Sequence, residues 1–116
     1  MRLTLFISSL ILLIISCQKD TVLYDFITYE IDAYPAGFSF YIIDNKGNIL
    51  HDNISGRKYW TKIPAVTGDP YFILAVSDSL QAHITTTIYF GDRMIDTDNL
   101  YGDFPVVMSR GEIPKF

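Results

Sequence analysis

From Val22 to Met108 the chain is a succession of short strand-like segments separated by turn signals, and in the clearest of them the two sides of the segment alternate. His83–Phe90 shows it most clearly: Ile84, Thr86, Ile88 and Phe90 fall on one side, Thr85, Thr87 and Tyr89 on the other. Only an extended strand sorts residues with a period of two. Phe38–Ile43 behaves likewise, placing Phe38, Phe40 and Ile42 opposite Ser39, Tyr41 and Ile43. Asp44-Asn45-Lys46-Gly47 then reads as a turn, with Gly47 free to take a positive φ, and Asn48–Asp52 returns as the partner strand. Gly91-Asp92 is a two-residue connector of the Gly-X type and predicts a second tight hairpin into Arg93–Asp96.

The remaining segments fit the same plan. Val22–Asp32 predicts one long strand or two short ones, punctuated by Pro35, Ala36 and Gly37. Arg57–Pro64 reads as a strand ended by Pro64. Tyr71–Val76, inside Pro70–Ser77, is a continuous apolar run expected to be a central strand buried on both faces. Thr97–Asp103 reads as a polar loop, and Phe104–Met108 as a last short strand. There is no amphipathic helical pattern. About seven short strands, with turn signals every 8–12 residues or so, predict an all-β fold, an antiparallel Ig-like β-sandwich.

The N-terminus carries an address. Arg2 supplies a positive charge, Leu3–Ile15 is an apolar run, and Ser16 is a small residue directly before the chain's only cysteine, Cys17. This is the layout of a secretory signal peptide over residues 1–16. A membrane-spanning helix needs roughly 20 apolar residues, more than this run offers. Ile14-Ile15-Ser16-Cys17 resembles a bacterial lipobox, which predicts cleavage before Cys17 and a lipid on its sulfur. A soluble secreted protein and an uncleaved anchor are the alternatives. Acylation would remove an otherwise reactive terminal thiol, and several acyl chains would hold the protein firmly at a membrane. Residues 17–25 are then a tether and 26–116 the domain. Gln18-Lys19-Asp20 resembles a signal that sends some lipoproteins to the outer face of the outer membrane; a solvated linker without an address is the plain alternative.

Removal of the leader leaves 100 of the 116 residues, enough for one domain. Thirteen acidic and eight basic side chains remain, eight minus thirteen or −5 in formal charge. An acidic surface without a Lys/Arg cluster argues against nucleic acid as a partner, since that affinity rests on neutralising phosphates. It argues equally against a polybasic grip on anionic lipid headgroups. With Cys17 acylated no thiol is left for a disulfide or a thiolate metal site.

Few residues present catalytic chemistry. His51 and His83 lie in no nucleophile or metal motif and read as strand-end or surface histidines. Ser77-Asp78-Ser79 is a turn, and no Gly-x-Ser-x-Gly elbow occurs. Asp92, Asp96, Asp98 and Asp103 form the one acidic cluster. Asp96-Thr97-Asp98 begins like a calcium loop, but Leu100 and Tyr101 stand where an oxygen ligand and the turn glycine belong. A solvated loop is the expectation, with no metal and no cofactor. Tyr59 and Trp60 are adjacent and must point to opposite faces of a strand. Trp60 is expected in the inter-sheet core, which leaves Tyr59 outward. Tyr59, Tyr89 and Tyr101 are therefore the candidate binding residues, able to stack on a sugar or anchor a protein. Half-buried tyrosines lying along a sheet face are the simpler reading.

Tyr29-Glu30-Ile31, then Phe38–Asn48 with its Asp44-Asn45-Lys46-Gly47 hairpin, resembles the opening of the mycobacterial membrane protein small family. The likeness continues through Trp60-Thr61-Lys62, Tyr71–Val76 and Ile84–Phe90 with Gly91-Asp92, covering roughly residues 26–96. It implies a β-sandwich serving as a periplasmic accessory of lipid or siderophore exporters of the resistance-nodulation-division class. The expectation is a lipid-anchored, non-enzymatic envelope domain that holds a protein partner. A carbohydrate- or host-surface-binding module is the alternative. That alternative requires exposed aromatics beside Asp or Asn.

Overall fold

The computed structural model describes residues 22–116. The predicted signal peptide (1–16), the lipobox-like Ile14-Ile15-Ser16-Cys17 and the expected tether up to Thr21 lie outside the described residues. Eight strands follow in order: β1 (Tyr24–Tyr34), β2 (Phe38–Ile43), β3 (Ile49–Ile54), β4 (Lys58–Val66), β5 (Pro70–Ser77), β6 (Ala82–Phe90), β7 (Arg93–Gly102) and β8 (Val106–Glu112). They form two antiparallel four-stranded sheets, ordered β4-β1-β6-β7 and β3-β2-β5-β8, packed as a sandwich. Only the β2–β3 and β6–β7 hairpins stay within one sheet; every other connection crosses to the opposite one. No helix among the described residues is long and apolar enough to cross a membrane.

The alternation read from the sequence becomes the core. Ile27, Tyr29, Ile31 and Ala33 of β1 face inward with Ile84, Ile88 and Phe90 of β6, against Phe38, Phe40 and Ile42 of β2 and Ile73 and Ala75 of β5. Fully burying one such large side chain contributes about 1.5–3 kcal/mol, so this shared interior holds the sheets together. Both predicted hairpins form. Gly47 takes φ +83°, its amide donates to the Asp44 carbonyl at 3.1 Å, and Asp44 Oδ1 accepts from the amides of Lys46 and Asn48 at 2.9 and 2.8 Å. Desolvation is the largest single influence and raises the Asp44 carboxyl, but the backbone donors of Asn48 and Lys46, with the Asn48 side chain and the Lys46 charge, together outweigh it and hold the group below its ordinary range. Gly91 takes φ +58° between the paired residues Phe90 and Arg93.

Several boundaries depart from expectation. There are eight strands, and Thr97–Asp103 is no loop: β7 runs through to Gly102, paired with β6 along its length. Its polar residues tolerate this because β7 is an edge strand with most side chains in water. β4 passes through Pro64 instead of ending there, since an edge strand has one unpaired side on which a missing amide costs nothing. β1 starts at Tyr24, inside the stretch assigned to the tether. The final strand, β8, starts two residues later than expected and extends to Glu112. β5 is central, yet only one of its faces is buried: Tyr71, Ile73, Ala75 and Ser77 are in the core, whereas Phe72, Leu74 and Val76 are half-buried on the outside.

A β-bulge in β7 has a structural consequence. Ile88 pairs with Asp96 but Tyr89 with Met94, so Ile95 is the extra residue. The shift turns Asp96 toward the opposite sheet, where its carboxylate accepts a hydrogen bond from Tyr71 Oη of β5 at 3.0 Å. Gly111 of β8 leaves room for that ring; a Cβ there would stand 2.6 Å from Tyr71 Oη.

Candidate functional sites on the two outer faces

The outer surfaces of the sandwich differ in chemistry. On the β4-β1-β6-β7 sheet the register sets Lys58, Asp32, Thr85 and Asn99 in one row, and Trp60, Glu30, Thr87 and Thr97 in the next. The following row holds Lys62, Thr28, Tyr89 and Met94. Trp60 is 63% exposed and borders a groove of about 320 Å³ lined by Glu30, Asp32, Lys58, Thr85 and Thr87. Lys62 Nζ lies 6.0 Å from the Trp60 ring centroid, and Asp32 is paired with Arg57 at 3.1 Å and Lys58 at 3.8 Å. An aromatic plane beside carboxylates and hydroxyls is amphipathic, able to stack on an apolar surface and accept hydrogen bonds next to it.

The β3-β2-β5-β8 sheet presents the opposite character. Its rows are Ile49, Ile43, Phe72 and Arg110; His51, Tyr41, Leu74 and Met108; and Asn53, Ser39, Val76 and Val106. Eight of these twelve side chains are aliphatic, aromatic or thioether. Ile49 is 65% exposed, Val106 48%, Met108 47% and Tyr41 42%. Contiguous exposed apolar patches larger than a few hundred Å² mark interaction surfaces. The Tyr41 ring is stacked on His51, centroids 4.1 Å apart, and His51 Nδ1 lies 2.8 Å from the Phe40 carbonyl oxygen.

The predicted binding tyrosines do not form one site. Tyr59 is not outward: it packs on the core, stacked on Phe40 with centroids 4.5 Å apart. Trp60 correspondingly points to solvent, which reverses the expectation for this pair. The physical signal lay at the same parity, because Lys58 and Lys62 share Trp60's face whereas Ile63 and Ala65 share that of Tyr59. Tyr89 is half-buried on the Trp60 face, and Tyr101 is 68% exposed beside His83. They lie three rows apart on that sheet, roughly 20 Å.

His51 and His83 are both on the surface, His83 Nε2 being 3.3 Å from Asn99 Oδ1. Asp92, Asp96, Asp98 and Asp103 are spread from the β6–β7 turn to the far end of β7; among the described residues no three His, Cys, Asp or Glu side chains are grouped to hold a metal. Tyr29 and Tyr71 are the strongly perturbed groups. Burial pushes the Tyr29 hydroxyl up to about 12, and burial followed by the Asp96 carboxylate does the same for Tyr71. Both belong to the interior and report packing.

No protein-family model matches the chain, and no curated protein matches it.

Proposed function

We propose that this is a lipid-anchored, non-enzymatic domain of the cell envelope that holds a protein partner against the outer face of its β3-β2-β5-β8 sheet. The observation that supports the reading is the apolar character of that face, where Tyr41, Leu74, Phe72 and Met108 stand in adjoining rows. Leaving such a face in water costs about 25 cal/mol per Å², which a partner recovers. A face contact is also favoured over pairing at the β4 edge, where Lys58, Lys62 and Pro64 disfavour an added strand. The lipobox at Cys17 supports the anchor, and Gln18-Lys19-Asp20 supports outer-membrane placement with display at the surface. The likeness to the mycobacterial membrane protein small family supports a transport-accessory task for the contact.

The test is in-cell photo-crosslinking from position 108, followed by mass spectrometry, in the otherwise natural protein. Discrete protein adducts that vanish when Ile49 is also changed to Lys are the expected result. An absence of protein adducts from position 108, with adducts recovered from position 60, would overturn it.

A second reading is favoured by Trp60. Exposed beside Glu30, Asp32, Thr85 and Thr87, it supplies the aromatic-plus-carboxylate arrangement that carbohydrate recognition needs. Trp60 is also the chain's only tryptophan. Glycan binding on this face would therefore change the intrinsic tryptophan emission and be lost in Trp60→Ala. Unchanged emission across a glycan panel would remove this reading.

A further inference from the structure

We infer that the protein seated on the apolar face is a second copy of this chain, paired face to face about a two-fold axis running along the strands. The inference rests on the protein-binding reading above and names the partner. Three features of the molecule carry it: the chemistry of the face, its size, and the end at which the chain enters.

The face is suited to its own image. Rotation about an axis between β2 and β5 sets Tyr41 against Leu74 of the second copy and Ile43 against its Phe72, apolar on apolar in both directions. His51, Arg110 and, at the β4–β5 end of the face, Glu112 are its titratable side chains besides Tyr41, and all three sit on the outer strands. Glu30 and Asp32, with the charge they bring, are on the opposite sheet. A pair formed this way keeps the strands of the two apposed sheets nearly aligned, the arrangement in which sheets stack.

Four strands about 4.8 Å apart, each with three outward positions about 6.8 Å apart, make a face of roughly 400 Å² in plan. Pairing two such faces removes roughly 800–1,000 Å² in all, near the threshold of about 1,000 Å² for a specific interface. An interface of that size is weak between free molecules and strong between tethered ones, because anchoring raises the effective concentration toward the millimolar range.

The point of chain entry selects the axis. Leu23 is tied to Thr67 by hydrogen bonds of 3.0 and 3.3 Å, so the tether leaves the sandwich at the end carrying the β4–β5 turn. Residues 18–21 separate Cys17 from Val22, a reach of no more than about 20 Å from the lipid. A two-fold along the strands puts both tethers at the same end, where one membrane can hold them. A two-fold across the strands would put them at opposite ends. The resulting pair leaves both Trp60 faces outward.

The test uses the full-length, anchored protein in cells. With Cys17 acylated, Leu74→Cys supplies a single thiol at the centre of the face, and Thr85→Cys supplies one on the opposite sheet. A short bismaleimide is expected to yield an adduct of twice the protein's mass from position 74 and none from position 85. Adding Met108→Lys should reduce the position-74 adduct at least tenfold, with circular dichroism of the purified variant checking that the sandwich is kept. An adduct only with a different protein would overturn self-pairing and leave the protein-binding reading standing. No adduct of any mass from position 74 would overturn both.

Discussion

Phe40 is 1% exposed in β2 with the Tyr59 ring stacked on it, so its truncation opens a cavity between the sheets. Phe40→Ala should cost about 3–5 kcal/mol, a large part of the 5–15 kcal/mol or so available to such a domain. Trp60→Ala should cost less than about 1 kcal/mol, because the indole is 63% exposed and most of it stays in water when the chain folds. Urea unfolding of both variants checks the contrast; equal losses would mean that Trp60 packs inside. Thr86 supplies a gain. Its Oγ1 is buried with no hydrogen-bond partner, the only such side-chain atom among the described residues. Thr86→Val keeps the shape and removes the unpaired hydroxyl, and should stabilise the fold by about 1 kcal/mol or more in the same assay. At this scale the sequence was ambiguous where two aromatics adjoin. Period-two alternation states that Tyr59 and Trp60 diverge but not which turns inward; the flanking lysines decide it.

Among the elements, β7 is the one whose role depends on a single inserted residue. The bulge at Ile95 directs Asp96 inward to Tyr71, and Gly111 gives the ring its place. Gly111→Ala should therefore cost about 1–3 kcal/mol through overpacking and loosen the Tyr71–Asp96 bond. Alkaline titration reads the same region. Tyr29 and Tyr71 ionise at about 12 in the folded chain against an ordinary 10.0. Above pH 10 or so the unfolded chain binds fewer protons than the folded one, so stability is full below that pH and falls as it rises toward 12. Ultraviolet absorbance of the folded protein should show Tyr29 and Tyr71 ionising only toward pH 12; ionisation of either at its ordinary 10.0 would contradict the packing described. The bulge was not legible in the sequence, because Asp96-Thr97-Asp98-Asn99 resembles a loop unless the hairpin at Gly91 is carried on along β6. The hairpins themselves were legible, since Gly47 and Gly91 sit where the turns demand positive φ.

For the whole molecule, the fold class could be read directly because a sandwich needs only strand alternation and turn spacing, and both are local. The outer faces were harder. Tyr71–Val76 looks like a strand buried on both sides, and in the single chain it is covered on one. That discrepancy is where fold and function meet: Phe72, Leu74 and Val76 have the composition of an interior and the position of a surface. The proposed lipid anchor makes a separate prediction. Cys17→Ala should release the protein from the membrane fraction or leave the precursor uncleaved; fatty-acid labelling that persists in the variant would contradict the anchor.

The most direct measurement is radical footprinting of Met108 and Tyr41 in intact cell envelopes, compared with the purified protein in dilute solution. If a protein covers the apolar face, both residues are shielded in the envelope and labelled in dilute solution, while Met94 on the other sheet is labelled in both. Equal labelling of Met108 and Tyr41 under the two conditions would show the face open to water in the proposed envelope setting, and would contradict the account.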